Sequence, residues 1–416
     1  MSAPRIITLG CRLNRFESEV MRIHAENAGL TDTVIINSCA VTGEAERQAR
    51  AEIRKARRRH PEARIIVSGC AAQISPERFA AMTEVDQVLG NAEKMRAESF
   101  TPNGKAARIE VSDISLDRAI APQPLDGFQT RSRALVQVQQ GCDHACTFCI
   151  VPTARGPNRS LPPAAIIEQV RGLIDRGHSE VVLTGADISS YGRDLVPGAT
   201  LGGLARRLVD EVEGLARLRL SSLDPAIEDE DLVRLIAEQP RLMPHLHFSL
   251  QAGNDLVLKR MARRHRREQA IRLCARLRQA RPDITLGADL IAGFPTESEA
   301  MFADSLSLIA ECGISHLHVF PYSPRPGTPA ARMKQIAAPE RRARARILRE
   351  AGEAAMEALL DRSVGRTARV LVEQGGRGYS EDYLPVRLDF PAPAGGIARV
   401  RLTRRDAGGL IGEQAA

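Results

Sequence analysis

The chain has 416 residues, 43% hydrophobic and 26% charged, with 58 Lys and Arg against 51 Asp and Glu, a net charge of +7 and a pI of about 9.2. At roughly 150 residues per domain, that length predicts two or three domains with substantial cores. No apolar run approaches the ~20 residues of a membrane span, and MSAPRIITLGCRLN lacks a signal peptide's apolar core, so the reading is a cytoplasmic protein with no membrane partner and eight reduced cysteines.

Residues 5–10 (RIITLG), 33–38 (TVIINS) and 63–69 (ARIIVSG) read as short apolar strands, followed in turn by Cys11, Cys39 and Cys70. Phe16, Val20 and Ile23 recur at helical spacing after the first strand, and an Ala-, Glu- and Arg-rich helix over 43–59 follows the second. This alternation predicts a parallel sheet. The carboxyl ends of such strands share one edge, where ligands bind. One cysteine there reads as a small buried residue. Three in the same topological position read as a three-thiolate cluster site with one open iron. Residues 101–130 read as a linker with at most one edge strand.

Strands are then predicted at 134–140, 180–184, 217–222, 245–250, 284–291 and 316–321. Helices are predicted near 163–176, 202–213, 228–238, 267–280 and 297–311. Six βα units make an incomplete barrel whose active face is the edge at the strand carboxyl ends. The first strand leads into GCDHACTFC, which places Cys142, Cys146 and Cys149 as CxxxCxxC. Four cysteines close an iron–sulfur cluster for electron transfer. Three leave one iron of a [4Fe-4S] cube open, and that iron points to S-adenosylmethionine, whose amino and carboxylate groups can chelate it. A zinc site with His144 as a further ligand is the competing reading. Later strand ends carry Gly185 with Asp187, Ser221 with Ser222, Ser249 with Gln251, and Gly293. Gly185, Asp187, Ser222 and Gln251 are the candidate contacts to the cofactor, although turn chemistry accounts for any one alone. Cys274 and Cys312 read as core or helix-end residues.

Residues 337–363 read as a helix. From 368, short strands with Gly-rich turns suit a small barrel of the OB type, with Tyr379 and Tyr383 as rings for base stacking. The arginine runs Arg54–His60 and Lys259–Arg267 match phosphate geometry or form solvated helix faces.

With TLGCRLNRFESE, NSCAVT, VSGCAAQ, GCDHACTFCIVPTARGPNRS, HLHFSLQAGNDLVLKRM, DLIAGFPTE and LHVFPYSPRPGTPAARM in place, nearly the whole chain resembles the methylthiotransferase family of radical S-adenosylmethionine enzymes. The resemblance implies an α/β fold in three parts. These are an N-terminal parallel α/β cluster domain (1–105), a radical core in a partial (β/α)6 barrel (128–355) and a small C-terminal TRAM-like β-barrel (360–416). It implies two [4Fe-4S] clusters, an auxiliary one on Cys11, Cys39 and Cys70 and a catalytic one on Cys142, Cys146 and Cys149. Family branches act on isopentenyl-adenosine in tRNA, on threonylcarbamoyl-adenosine in tRNA, or on an aspartate of a ribosomal protein. LHVFPYSPRPGTPAARM and PHLHFSLQAGND are most similar to the threonylcarbamoyl branch. The implied activity is methylthiolation of carbon 2 of N6-threonylcarbamoyladenosine at position 37 of tRNA, using two S-adenosylmethionine molecules. That carbon–hydrogen bond is inert to acids and bases, so a cofactor must break it. The implied partners are the tRNA anticodon stem-loop and an electron donor such as flavodoxin. A non-catalytic iron–sulfur RNA-binding redox sensor is the alternative from another class.

Overall fold

The computed structural model describes residues 3–101, 107–123, 125, 127, 132–195, 198–226 and 229–415. Parts of the predicted linker, the predicted helix start at 228 and the domain limits at 1, 128 and 416 lie outside the described residues. Strands β1 (Arg5–Thr8), β2 (Thr33–Ser38), β3 (Arg64–Gly69), β4 (Gln87–Leu89) and β5 (Ile109–Glu110) form a parallel sheet in chain order. Ile35, Ile36, Ile65 and Ile66 are all fully buried. A sheet covered on both faces explains unbroken apolar runs instead of alternation. β4 escapes the sequence reading because three residues are too few to show a period, whereas β5 is the edge strand that the linker allowed.

Helix α1 (Arg12–Asn27) is a shared wall. Its Met21 and Ala25 pack with Ile35 and Ile66 of the sheet, and its Phe16, Val20 and Ile23 pack into the core of the barrel that follows. Helix α2 (Gly43–Arg59) begins where the Thr42 side chain accepts from the Ala45 N–H at 3.1 Å. Short helices α3 (Cys70–Ile74) and α4 (Pro76–Ala80) follow β3.

The barrel opens with β6 (Arg133–Gln137). An antiparallel pair, β7 (Gln139–Gln140) and β8 (Arg159–Ser160), clamps the base of the cysteine loop, and helix α5 (Val151–Arg155) ends that loop. Helices α6 (Pro163–Asp175), α7 (Leu201–Glu211) and α8 (Glu230–Glu238) alternate with β9 (Glu180–Thr184) and β10 (Arg217–Leu220). Then come β11 (His245–Gln251), α9 (Asp255–Arg260), α10 (Arg267–Ala280), β12 (Thr285–Ala292), α11 (Glu299–Glu311) and β13 (Ile314–Pro321). The order is β6-β9-β10, then β11-β12-β13, all parallel. Single bridges Leu218–Leu242 and Leu223–Phe248 join the two halves. Among the described residues β6 and β13 do not pair, so the barrel has a seam. Cys274 and Cys312 are buried in its outer core.

Helix α12 (Ala338–Ser363) leads to a closed five-stranded barrel of β14 (Thr367–Glu373), β15 (Arg377–Tyr379), β16 (Pro385–Leu388), β17 (Ile397–Asp406) and β18 (Gly409–Gln414). The turn between β15 and β16 plugs the bottom of the large barrel. Arg219 donates to the Ser380 and Glu381 carbonyls, both at 2.9 Å, and Thr285 Oγ1 donates to the Asp382 carbonyl at 2.7 Å. Tyr379 and Tyr383 stack on each other 4.8 Å apart, Arg133 lies over both rings, and Tyr383 also stacks on His245. The expectation of RNA base stacking is corrected for Tyr383, which already stacks on Tyr379 and His245 inside the protein. No helix among the described residues is long and apolar enough to cross a membrane.

Candidate active site

The three strand-end cysteines come from the same edge of the first sheet. Cys11 caps α1, Cys39 follows β2, and Cys70 opens α3. Gly10 (φ +92°) lets the first turn pass Cys39: a Cβ on it would lie 2.9 Å from the Cys39 sulfur. Asn14 Nδ2 ties the turns together, donating to the Leu9 carbonyl at 2.7 Å and the Ser38 carbonyl at 3.0 Å. Burial, and then the neighbouring thiols of Cys70 and Cys11, push the Cys39 thiol up to about 12.

The CxxxCxxC loop is held by its own backbone. The Cys142 N–H donates to the Gly156 carbonyl at 3.0 Å, and the Val151 N–H, at the start of α5, donates to the Cys149 sulfur at 3.4 Å. Burial, Asp187 and the two sister thiols push Cys142 up to about 12. Burial and Cys146 raise Cys149 to about 11, and Cys70 of the other trio adds to that. Asn91 Nδ2 lies 4.0 Å from the Cys70 sulfur and donates to the Ala154 carbonyl at 2.6 Å, so the Cys70 turn packs against the helix that ends the cysteine loop. Arg263 Nη1 lies 3.7 Å from the Cys146 sulfur. His144 Nε2 lies 2.7 Å from Asp187 Oδ2, and these two atoms and the Cys142 sulfur all stand within 4.8 Å of one another, a set that could itself hold a metal ion. All eight cysteines are free thiols. Two crowded trios with an arginine at one and no fourth cysteine at either fit iron–sulfur clusters, whose cationic irons offset the thiolate charge.

A buried ionic lock joins the two halves. Arg155, the last residue of α5, donates to Glu17 Oε1 at 2.7 Å, Asn14 Oδ1 at 2.6 Å and Gln140 Oε1 at 2.8 Å. Lys94 Nζ reaches Glu17 Oε2 at 2.6 Å. Burial alone would raise the Glu17 carboxyl, but Arg155 and Lys94 hold it down at about 2. The sequence reading missed all three residues, because each lies in an unremarkable helical or loop context and only the fold brings them together.

Of the candidate cofactor contacts, Asp187 sits nearest the cysteine loop: its Oδ2 accepts from Ser190 Oγ at 2.6 Å and lies 4.0 Å from the Cys142 sulfur. Gly185 packs on Gln139, with 2.7 Å between a notional Cβ and Oε1. Ser222 is exposed after β10, and Gln251 ends β11 half-buried with φ +67°. All four lie on the carboxyl edge of the barrel. Asp224 was missed: its carboxylate accepts from Arg263 Nη2 at 2.9 Å, and the same Nη2 donates to the Ser249 carbonyl at 2.8 Å.

The basic runs are only partly free. Arg263 and Arg267 bond internal carbonyls and carboxylates, and Arg57 donates to the Pro61 and Ala63 carbonyls and to Asp86. Arg58, Arg59, Lys259, Arg264 and Arg266 stay exposed. Arg12, Arg133, Arg219 and the exposed Arg15 line, with Glu373, a cavity of about 80 Å³ next to Tyr383.

Comparison with known proteins places this architecture. Residues 136–309 match the Radical SAM superfamily, and residues 4–90 match Uncharacterized protein family UPF0004. The fold is similar to that of the radical S-adenosylmethionine methyltransferase TsrM from Kitasatospora setae, solved with cobalamin and a [4Fe-4S] cluster. The TM-score is 0.52 at 15% identity, over 80% of this chain and 74% of that one. The class is thus a radical S-adenosylmethionine enzyme, working with S-adenosylmethionine and [4Fe-4S] clusters. The chain is 45% identical over 397 residues to threonylcarbamoyladenosine tRNA methylthiotransferase MtaB of Rickettsia prowazekii, covering 95% of this chain and 94% of that protein. It is 34% identical to tRNA-2-methylthio-N(6)-dimethylallyladenosine synthase of Cereibacter sphaeroides, covering 98% of each. The chain belongs to the radical S-adenosylmethionine methylthiotransferase family.

Proposed function

We propose that this enzyme methylthiolates carbon 2 of N6-threonylcarbamoyladenosine at position 37 of tRNA. The observation that carries the reading is the packing of the two cysteine-bearing regions against each other, with Asn91 reaching both the Cys70 sulfur at 4.0 Å and the Ala154 carbonyl of α5 at 2.6 Å. In this reading residues 1–105 hold an auxiliary cluster on Cys11, Cys39 and Cys70. Residues 128–355 hold the radical-generating cluster on Cys142, Cys146 and Cys149, and residues 360–416 form the C-terminal barrel. When bound, these groups supply one-electron cleavage of S-adenosylmethionine and the sulfur that is transferred.

The chain's own residues hold and shield that chemistry. The Val151 N–H donates to the Cys149 sulfur and Arg263 Nη1 lies 3.7 Å from the Cys146 sulfur, so both turn positive charge toward the loop. Asp187 steadies His144 beside the loop, and with Gly185, Ser222 and Gln251 lines the edge where the cofactor would lie. Arg155 fixes one trio against the other. The anticodon loop is single-stranded, so its adenosine can be splayed into the barrel without melting a duplex. The proposed setting is the cytoplasm, with an electron donor such as flavodoxin.

A second reading, methylthiolation of dimethylallyl- or isopentenyl-adenosine, has support from the Cereibacter relative. Anaerobic turnover of the reconstituted enzyme on anticodon stem-loop RNAs carrying either nucleoside, followed by nucleoside mass spectrometry, decides between them. Methylthio-threonylcarbamoyladenosine is the expected product. Thiolation of the dimethylallyl RNA alone overturns the proposal.

A further inference from the structure

The interior of the large barrel holds a file of imidazoles that the chemistry above does not use. Lowest are His245 of β11 and His316 of β13, 4.7 Å apart edge to face. Burial lowers both, His316 to about 4, and Tyr383 of the plug closes them off from below. Two residues further along each strand stand His247 and His318, with rings 4.6 Å apart. Asp289 of β12 serves both: its Oδ1 lies 2.9 Å from His247 Nε2 and 3.2 Å from His318 Nδ1. Against the pull of burial, the two imidazoles hold the Asp289 carboxyl far below the usual carboxylate range. Gly287 makes the room, since a Cβ there would stand 2.4 Å from His247 Nδ1.

His318 differs from the other three. Along β13, Leu317 and Val319 turn outward into the helical core, so His316, His318 and Phe320 turn inward. Yet the His318 side chain is 63% exposed and Phe320 is 39% exposed. Inward-facing residues that meet solvent line an open chamber. Below His245 and His316, a separate cavity lined by Arg12, Arg15, Arg133 and Arg219 together with Glu373 shares Tyr383 with those two imidazoles.

We propose that His318, backed by Asp289 and His247, receives the carboxylate of the substituent on adenine N6 and so sets substrate choice. This rests on the threonylcarbamoyl reading above. His318 stands three residues before the end of β13 at Pro321, ~10 Å below the edge that carries the cysteine loop. A base presenting carbon 2 to that edge sends its N6 substituent elsewhere, and the chamber is the space below. A carboxylate there meets an imidazole whose counter-charge, Asp289, is already in place. A dimethylallyl group would leave the same polar atoms without partners, the kind of mismatch that gives large discrimination.

The test uses the full-length reconstituted enzyme and two anticodon stem-loop RNAs, identical except for threonylcarbamoyl or dimethylallyl on the same adenosine. Equilibrium Kd is read by fluorescence anisotropy, and KM and kcat by anaerobic turnover. His318→Phe is expected to weaken the threonylcarbamoyl RNA roughly tenfold or more in Kd and KM, as loss of a charge-assisted hydrogen bond does. The dimethylallyl RNA should not weaken, and His318→Gln, which keeps a donor, should recover part of the loss. An unchanged ratio between the two RNAs, or equal loss on both, overturns the assignment of His318. A wild-type enzyme with no preference between the two RNAs overturns this assignment, and one that thiolates the dimethylallyl RNA alone overturns the parent reading as well.

Discussion

Glu17 keeps its charge in the interior because two cations face it. Its carboxyl sits at about 2, below the ordinary 4.5, so the stabilisation it contributes is complete above 4.5 and is lost as pH falls toward 2. Removing one partner of a buried pair costs about 3–5 kcal/mol, because the other charge is left stranded. Glu17→Gln should therefore lower unfolding stability by about that amount at pH 7, with the difference from wild type shrinking between pH 4.5 and 2. Denaturant melts across that range measure it, and equal stability at pH 7 would remove the lock from the account. At the cysteines the expected effects separate by trio. Cys146→Ala should abolish 5′-deoxyadenosine release, whereas Cys39→Ala should spare cofactor cleavage and stop thiolation. Retention of full thiolation by Cys39→Ala would show the auxiliary site misassigned. Cysteines announce themselves in sequence by spacing and by position after apolar strands. Glu17, Lys94 and Arg155 do not, since their partners are 77 and 138 residues apart in the chain.

Among the elements, the cysteine loop depends on one backbone crossing. Gly141 has φ +76°, and a Cβ on it would stand 1.8 Å from the Pro157 carbonyl. No rotamer relieves a backbone clash, so Gly141→Ala should displace the loop between β7 and β8. With two clusters per chain expected, anaerobic iron and sulfide analysis should then return roughly half the wild-type content. Full content in the variant would mean that the loop tolerates the shift. The strands of both sheets could be read from the sequence because β2, β3 and β9 are buried on both faces and carry unbroken apolar runs. β4 was lost for being short. The role of the turn between β15 and β16 was unreadable for a different reason. Tyr379 and Tyr383 have the composition of a base-stacking pair, and only the proximity of Arg133 and His245 shows that they serve as a plug.

At the scale of the whole molecule, the +7 charge is not spread evenly between surface and interior. Arg155, Arg217, Arg219 and Arg344 are all buried and bonded within the protein, and Arg12, Arg133 and Arg219 face the inner cavity. Sequence runs such as RKARRRH therefore overstate the cations available to an RNA backbone. Arg57 is consumed by carbonyls and Asp86, while Arg58 and Arg59 at the end of α2 remain exposed. Each phosphate contact releases condensed counterions, lowering log K by about 0.7 per decade of salt on a single strand and about 0.9 on a duplex. Binding of an anticodon stem-loop should thus weaken steeply with salt. The double substitution of Arg58 and Arg59 by Ala, removing two phosphate contacts, should flatten the log–log slope by about 1.4 to 1.8. Arg57→Ala should leave the slope alone and cost stability instead. A slope unchanged by the double variant would move the docking face away from α2, toward the exposed Lys259, Arg264 and Arg266 near the cysteine loop. A binding constant flat across salt would deny these surface arginines any part in holding RNA.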